Sequence, residues 1–241
     1  AGTLDGLNRS TGRRDFLRMA ALGGAGLAVP ALLAACSDEY TPGIGSGASV
    51  GATIDFKNDF GVLNYAYALE QLEAAFYIKV VASPYTGITA AETALLTAIR
   101  DHEVIHRDFL ATALSTNKIQ DLTVNFSAIN FTSRDAVLGA AKTFEDLGVA
   151  AYNGAGQMLT SATYLSLAGK IVSVEARHAA AIRDVIAGNA GIAFADNTVV
   201  DDAMALDRAF KPDTVLAAAG AYITTKITPM NIPSNLVGLN G

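Results

Sequence analysis

The chain lacks tryptophan, has a single cysteine, and carries no excess of basic charge. With one thiol, no intrachain disulfide can form. Lys and Arg number 17 against 23 Asp and Glu, a formal net charge of -6. No basic stripe is available to meet phosphates, which argues against a nucleic-acid partner. A strand pattern is also missing, because helical periodicity dominates from residue 55 to 187. What is present is apolar: 51% of the chain is hydrophobic and 17% charged. That composition supports a substantial core without disorder, and 241 residues suffice for one sizeable domain or two small ones.

The first 36 residues read as an export signal outside the fold. Arg13-Arg14-Asp15-Phe16-Leu17-Arg18 resembles the twin-arginine translocation motif, and an uncharged run from Met19 to Ala35 follows. The run is too short and too rich in Ala and Gly for a comfortable membrane span. It ends at Leu33-Ala34-Ala35-Cys36, which resembles a lipobox whose cysteine is lipidated and becomes the first mature residue. The expected location is therefore periplasmic or at the cell surface, anchored to a membrane by lipid. Cleavage there removes four arginines and two aspartates, a net +2, and leaves -8. Residues 37–54 are glycine-rich and read as a flexible tether.

Four long helices are expected next. The first spans about 55–81 and stops at Ser83-Pro84, since the residue before proline avoids helical geometry. The second opens with the capping box Thr89-Ala90-Ala91-Glu92 and continues to about residue 115. Residues 116–132 read as a long crossing connection. A third helix is expected over about 133–159 and a fourth over 163–187, ending at Gly188-Asn189. A short fifth helix should start at Pro212, within a C-terminal extension of residues 188–241. Short connections within each pair and one long connection between them describe an all-α, ferritin-like four-helix bundle with one crossover.

The chain contains three histidines and seven glutamates, yet two of the histidines follow a glutamate by three residues. Chance would place them so well under about one time in a hundred. Glu103 and His106 share a face of the second helix, and Glu175 and His178 share a face of the fourth. The first and third helices offer partner carboxylates. Glu145 is the third helix's only glutamate, whereas the first holds Glu70 and Glu73. Tyr152 follows Glu145 by seven residues and Tyr77 follows Glu70 by seven, two helical turns in each case. That repeat favours Glu70 over Glu73 and suggests two helical hairpins, each bringing a Glu and then a Glu-x-x-His. Glu73 is left as a surface carboxylate or a neighbour of the ligands. His102 points about 100° away from the Glu103–His106 face and is expected to be solvated. Asp101 and Asp184 are candidates to orient a ligand imidazole.

The set Glu70, Glu103-x-x-His106, Glu145, Glu175-x-x-His178 resembles the ferritin-like carboxylate-bridged dimetal proteins, among them bacterioferritins, rubrerythrins and manganese catalases. Leu63 to Tyr77, reading LNYAYALEQLEAAFY, is similar to a large bacterial group of ferritin-like domain proteins. The resemblance covers roughly residues 55–187. It implies two iron or two manganese ions, small oxygen species or metal ions as partners, and tyrosines that bond ligand carboxylates across the bundle. Physical chemistry agrees: four core carboxylates repel and are costly to desolvate, while two divalent cations balance their charge. Oxygen-rich ligands with one imidazole each suit iron or manganese better than zinc.

The function implied is an exported oxidoreductase acting on oxygen, peroxide or ferrous iron. No Cys pair follows the bundle, so a rubredoxin-type iron centre is absent and electrons would come from elsewhere. A storage shell is hard to reconcile with a lipid on every subunit, although a homo-oligomer stays open. Manganese-catalase chemistry needs no donor and also stays open. The alternative is a non-enzymatic envelope protein that binds metal or protects against stress or desiccation.

Overall fold

The computed structural model describes residues 51–239. The twin-arginine motif, Cys36 and most of the expected tether lie outside those residues. Strand β1 (Ala52–Asp55) leads into helices α1 (Asp59–Ala82) and α2 (Ala90–Leu114). After a 3-10 turn at Ser115–Asn117 and a long connection come α3 (Arg134–Gly156) and α4 (Ala162–Ile186). A short α5 (Pro212–Ala219) and strand β2 (Ile227–Met230) follow. Helix α1 packs on α2 and α3 on α4, and the two hairpins face each other mainly through α1 and α3.

Local chemistry sets the helix ends. Asn58 caps α1 by accepting from the Phe60 amide, and Ser133 and Ser161 cap α3 and α4. Thr89 and Glu92 form the reciprocal capping box expected at the start of α2. Glu92 also accepts from Arg134 Nε at 2.7 Å, and Arg134 donates to the Val185 carbonyl. The start of α2, the start of α3 and the end of α4 are thereby tied together.

Helix α1 is buried along most of its length. Its inner flank meets the other helices, and its outer flank is covered by the crossing connection. Asn64 accepts from the Ile119 amide at 2.8 Å and Gln71 from the Leu122 amide at 2.7 Å. These side chains satisfy loop amides that would otherwise be buried without partners.

Two features were not expected from the sequence. Residues 52–54, assigned to the tether, are strand: Ala52 and Ile54 are buried, and β1 pairs in parallel with β2, Ala52 opposite Ile227. The segment before α5 docks on α3, where Phe210 N donates to the Ala150 carbonyl and Asn153 to the Arg208 carbonyl. Gly154 permits that approach, because a Cβ there would collide with the Phe210 carbonyl oxygen. Gly154→Ala is expected to lower stability by about 1–3 kcal/mol, read as a drop in denaturation midpoint. An unchanged midpoint would contradict the docking. No helix among the described residues is long and apolar enough to cross a membrane.

Candidate metal centre

Each long helix delivers its acidic residue to the middle of the bundle. Glu70 on α1, Glu103 on α2, Glu145 on α3 and Glu175 on α4 are all fully buried. The i, i+3 spacing brings His106 beside Glu103 and His178 beside Glu175. The six residues form two overlapping groups, each with ligand atoms within 4.8 Å of one another. One holds Glu70, Glu103, His106 and Glu175, and the other Glu103, Glu145, Glu175 and His178. Glu103 and Glu175 belong to both. Glu70 with His106, and Glu145 with His178, close the two ends.

Both imidazoles turn Nδ1 inward. His106 Nδ1 lies 2.9 Å from Glu175 Oε1 and 3.6 Å from Glu70 Oε2. His178 Nδ1 lies 2.9 Å from Glu103 Oε1 and 3.3 Å from Glu145 Oε2. These are ion-pair approaches without hydrogen-bond alignment. Of the twelve buried side-chain atoms lacking a hydrogen-bond partner among the described residues, eight belong to these six residues. They are both oxygens of Glu103 and of Glu175, Oε2 of Glu70 and of Glu145, and the two Nδ1 atoms.

The remaining oxygens are engaged across the bundle. Tyr152 donates to Glu70 Oε1 and Tyr77 to Glu145 Oε1, each at 2.5 Å. Each tyrosine therefore holds the carboxylate of the opposite hairpin. Burial, then the neighbouring glutamate charge, keeps both hydroxyls well above their ordinary values, so they act as donors.

Without cations, protons balance the charge. Burial opposes a charged His178, but Glu103, Glu145 and Glu175 outweigh it and push the imidazole up to about 12. His106 is raised in the same way, chiefly by Glu70 against the opposing effect of burial. Burial pushes Glu145 up to about 7. Burial and then the nearby carboxylates hold Glu103 well above the usual range. Glu175 goes the other way, to about 2, because His106 and His178 overcome its burial. Six oxygens and two nitrogens, all buried, convergent and lacking hydrogen bonds, fit a pair of divalent cations.

Three surrounding residues depart from expectation, and a fourth, Glu73, takes one of the two places expected of it. His102 is not simply solvated: its Nδ1 lies 2.8 Å from His178 Nε2 and the rings stack at 14°. Burial and then the charges of His178 and His106 lower His102, favouring its neutral form. With Nδ1 of His178 turned inward, its Nε2–H donates to His102. Asp101 instead bonds Arg100, and Asp184 accepts from the Gly191 amide, so neither holds a ligand imidazole. Glu73 is buried beside the centre rather than at the surface, though it belongs to neither ligand group. Its Oε1 sits 3.0 Å from the point a Cβ on Gly148 would occupy, so this glycine makes room for a fifth carboxyl. Burial and four neighbouring carboxylates hold Glu73 well above the usual range. The sequence carried no signal for the histidine stack, which depends on how α2 and α4 are rotated against each other.

His102→Ala is expected to weaken metal at the Glu145–His178 end by about 10-fold or more, leaving the Glu70–His106 end unchanged. Metal titration would check this, and equal weakening at both ends would contradict it.

Among known families, the model described as ferritin-like domain matches residues 58–188, from the cap of α1 to the end of α4. No curated protein matches the chain.

Proposed function

The chain belongs to the ferritin-like domain family, and from that premise we propose a dimetal protein that acts as an oxidoreductase on dioxygen, peroxide or ferrous iron. The eight convergent, unpartnered atoms carry this reading. Glu103 and Glu175 would bridge two iron or two manganese ions, with Glu70 and His106 completing one position and Glu145 and His178 the other. A bound pair would supply reversible electron exchange with an oxygen species, which no side chain here provides.

The protein's own groups prepare the site. Tyr152 and Tyr77 fix the terminal carboxylates by donating to their outer oxygens. His102 fixes the ring of His178. Glu73, protonated beside the four ligand carboxylates, holds a proton within the dry core that reduction of an oxygen species consumes. The bundle keeps bulk water away, which strengthens every charge interaction inside it.

The same proposal extends to location. Arg13-Arg14 and Cys36 support export by the twin-arginine route and lipid anchoring to a membrane. Export of an already folded chain would let metal be inserted before translocation. Cys36→Ala should move the protein from the membrane to the soluble fraction, and unchanged fractionation would contradict the anchor.

The activity test loads metal-free protein with ferrous iron or with manganese. Ferrous oxidation is then followed under dioxygen or peroxide, and dioxygen release from peroxide is followed for the manganese form. Turnover in either form supports the oxidoreductase reading. Stable metal binding with no turnover in both would overturn it, in favour of an envelope protein that only binds metal.

A further inference from the structure

The two hairpins repeat the ligand set but not its surroundings. Beside Tyr77 the space is filled: Phe76 packs edge-on against Tyr77 and Phe144, with ring centroids 5.0 Å apart in both pairs. Beside Tyr152 there is a cavity of about 30 Å³. All four long helices contribute to it, at the end where α3 turns into α4. Its lining includes Leu63, Ala66, Leu69, Leu110, Tyr152 and Ile171. Leu69 directly precedes Glu70, and Leu110 lies one turn beyond His106. Tyr152 forms part of the wall while its hydroxyl donates to Glu70 Oε1. Tyr152 therefore connects the cavity to the Glu70–His106 end of the centre, although no residue of the centre itself lines it.

Size and polarity together select the occupant. A buried water needs roughly 10–15 Å³ and two to four polar partners. The space here is larger, but its wall is almost wholly apolar: tyrosine hydroxyls are the lining's only polar side-chain atoms, and that of Tyr152 is engaged by Glu70. The Tyr65 hydroxyl is buried without a partner, yet one such group falls short of the two or more that hold a water. Peroxide, with two O–H donors, is no better served than water. A ferrous ion finds no carboxylate or imidazole in the lining. A small apolar molecule suits both the volume and the walls, as dry apolar cavities in proteins take up xenon.

We propose that this cavity receives dioxygen and holds it next to the Glu70–His106 end of the centre. The proposal rests on the dimetal reading and narrows its substrate class to an apolar diatomic. It also makes the centre asymmetric, with the gas arriving at one end and the His102–His178 stack at the other.

Xenon is the probe, used on metal-free protein under gas pressure and located by diffraction. One xenon site is expected in the cavity of the wild type and none in Ala66→Leu, which fills it. Ala113→Val is a milder substitution in the same lining, should the larger side chain disturb folding. In iron-loaded protein, two ferrous ions become ferric as one dioxygen takes up two electrons and two protons to leave as hydrogen peroxide. The filled variants should slow this oxidation by about tenfold, the scale of a modest steric obstruction. Oxidation driven by added hydrogen peroxide should keep its wild-type rate. Xenon absent from wild type, or equal slowing with both oxidants, would overturn the cavity's role. Metal binding without xenon overturns the cavity assignment alone, whereas xenon binding without metal overturns the dimetal reading and the delivery role with it.

Discussion

Glu103→Gln is expected to remove metal from both positions at once. Glu103 belongs to both ligand groups, and both of its oxygens are buried without hydrogen-bond partners. Glutamine keeps the shape but offers one carbonyl oxygen and no charge. Loss of an outer partner alone weakens a metal site by about 10–100-fold, so loss of a bridge should exceed 100-fold. Glu145→Gln, by contrast, should spare the Glu70–His106 position, because Glu145 belongs to one group only. The metal-free variant should melt no lower than metal-free wild type. Burial and neighbouring carboxylates already favour the neutral form of Glu103, which glutamine imitates. Equal metal content in Glu103→Gln and wild type would contradict the bridging assignment.

Metal removal should reverse the direction in which stability follows pH. In the metal-free fold, His178 is raised to about 12 from an ordinary 6.5. Its stabilising contribution is complete below 6.5 and fades as pH rises toward 12. Glu145 is raised from 4.5 to about 7, so its contribution is complete below 4.5 and fades as pH rises through 7. Glu175 is lowered to about 2, so its contribution is present above 4.5 and is lost as pH falls through 2. These groups together place the metal-free optimum near pH 4.5, with stability falling from there to pH 8. Cations demand the opposite protonation: ligands must be unprotonated, and uptake displaces a proton from each of His106 and His178. Stability of the loaded protein should therefore rise between pH 5 and pH 7. With free metal at a thousandfold excess over Kd, each of the two ions adds about 4 kcal/mol, so the loaded pair should raise the Tm of a domain of this size by roughly 20 °C. Thermal melts with and without chelator across this range would check the reversal, and parallel curves would contradict it.

The six converging residues were legible because helices turn spacing into direction. Glu-x-x-His twice, and Glu followed by Tyr after two turns twice, place side chains on one face without knowledge of any neighbour. The same regularity anticipated the four-helix order and the capping box at Thr89. It could not show that each tyrosine reaches the opposite hairpin, which the resemblance supplied; Tyr77 donates to Glu145 and Tyr152 to Glu70. Features that depend on packing between helices stayed hidden. His102 differs from a solvated histidine only because α4 places His178 against it. Glu73 sits one turn from Glu70, and its burial depends on the room left by Gly148 on another helix. The β1–β2 pair joins four-residue segments from opposite ends of the described chain, one containing a proline, too short for an alternating pattern to register.

Elemental analysis of the protein, purified from its own cells without added metal, tests the central claim most directly. Two iron or two manganese ions per chain are predicted, with both lost in Glu103→Gln. Metal-free protein that takes up neither ferrous iron nor manganese on reloading would contradict it.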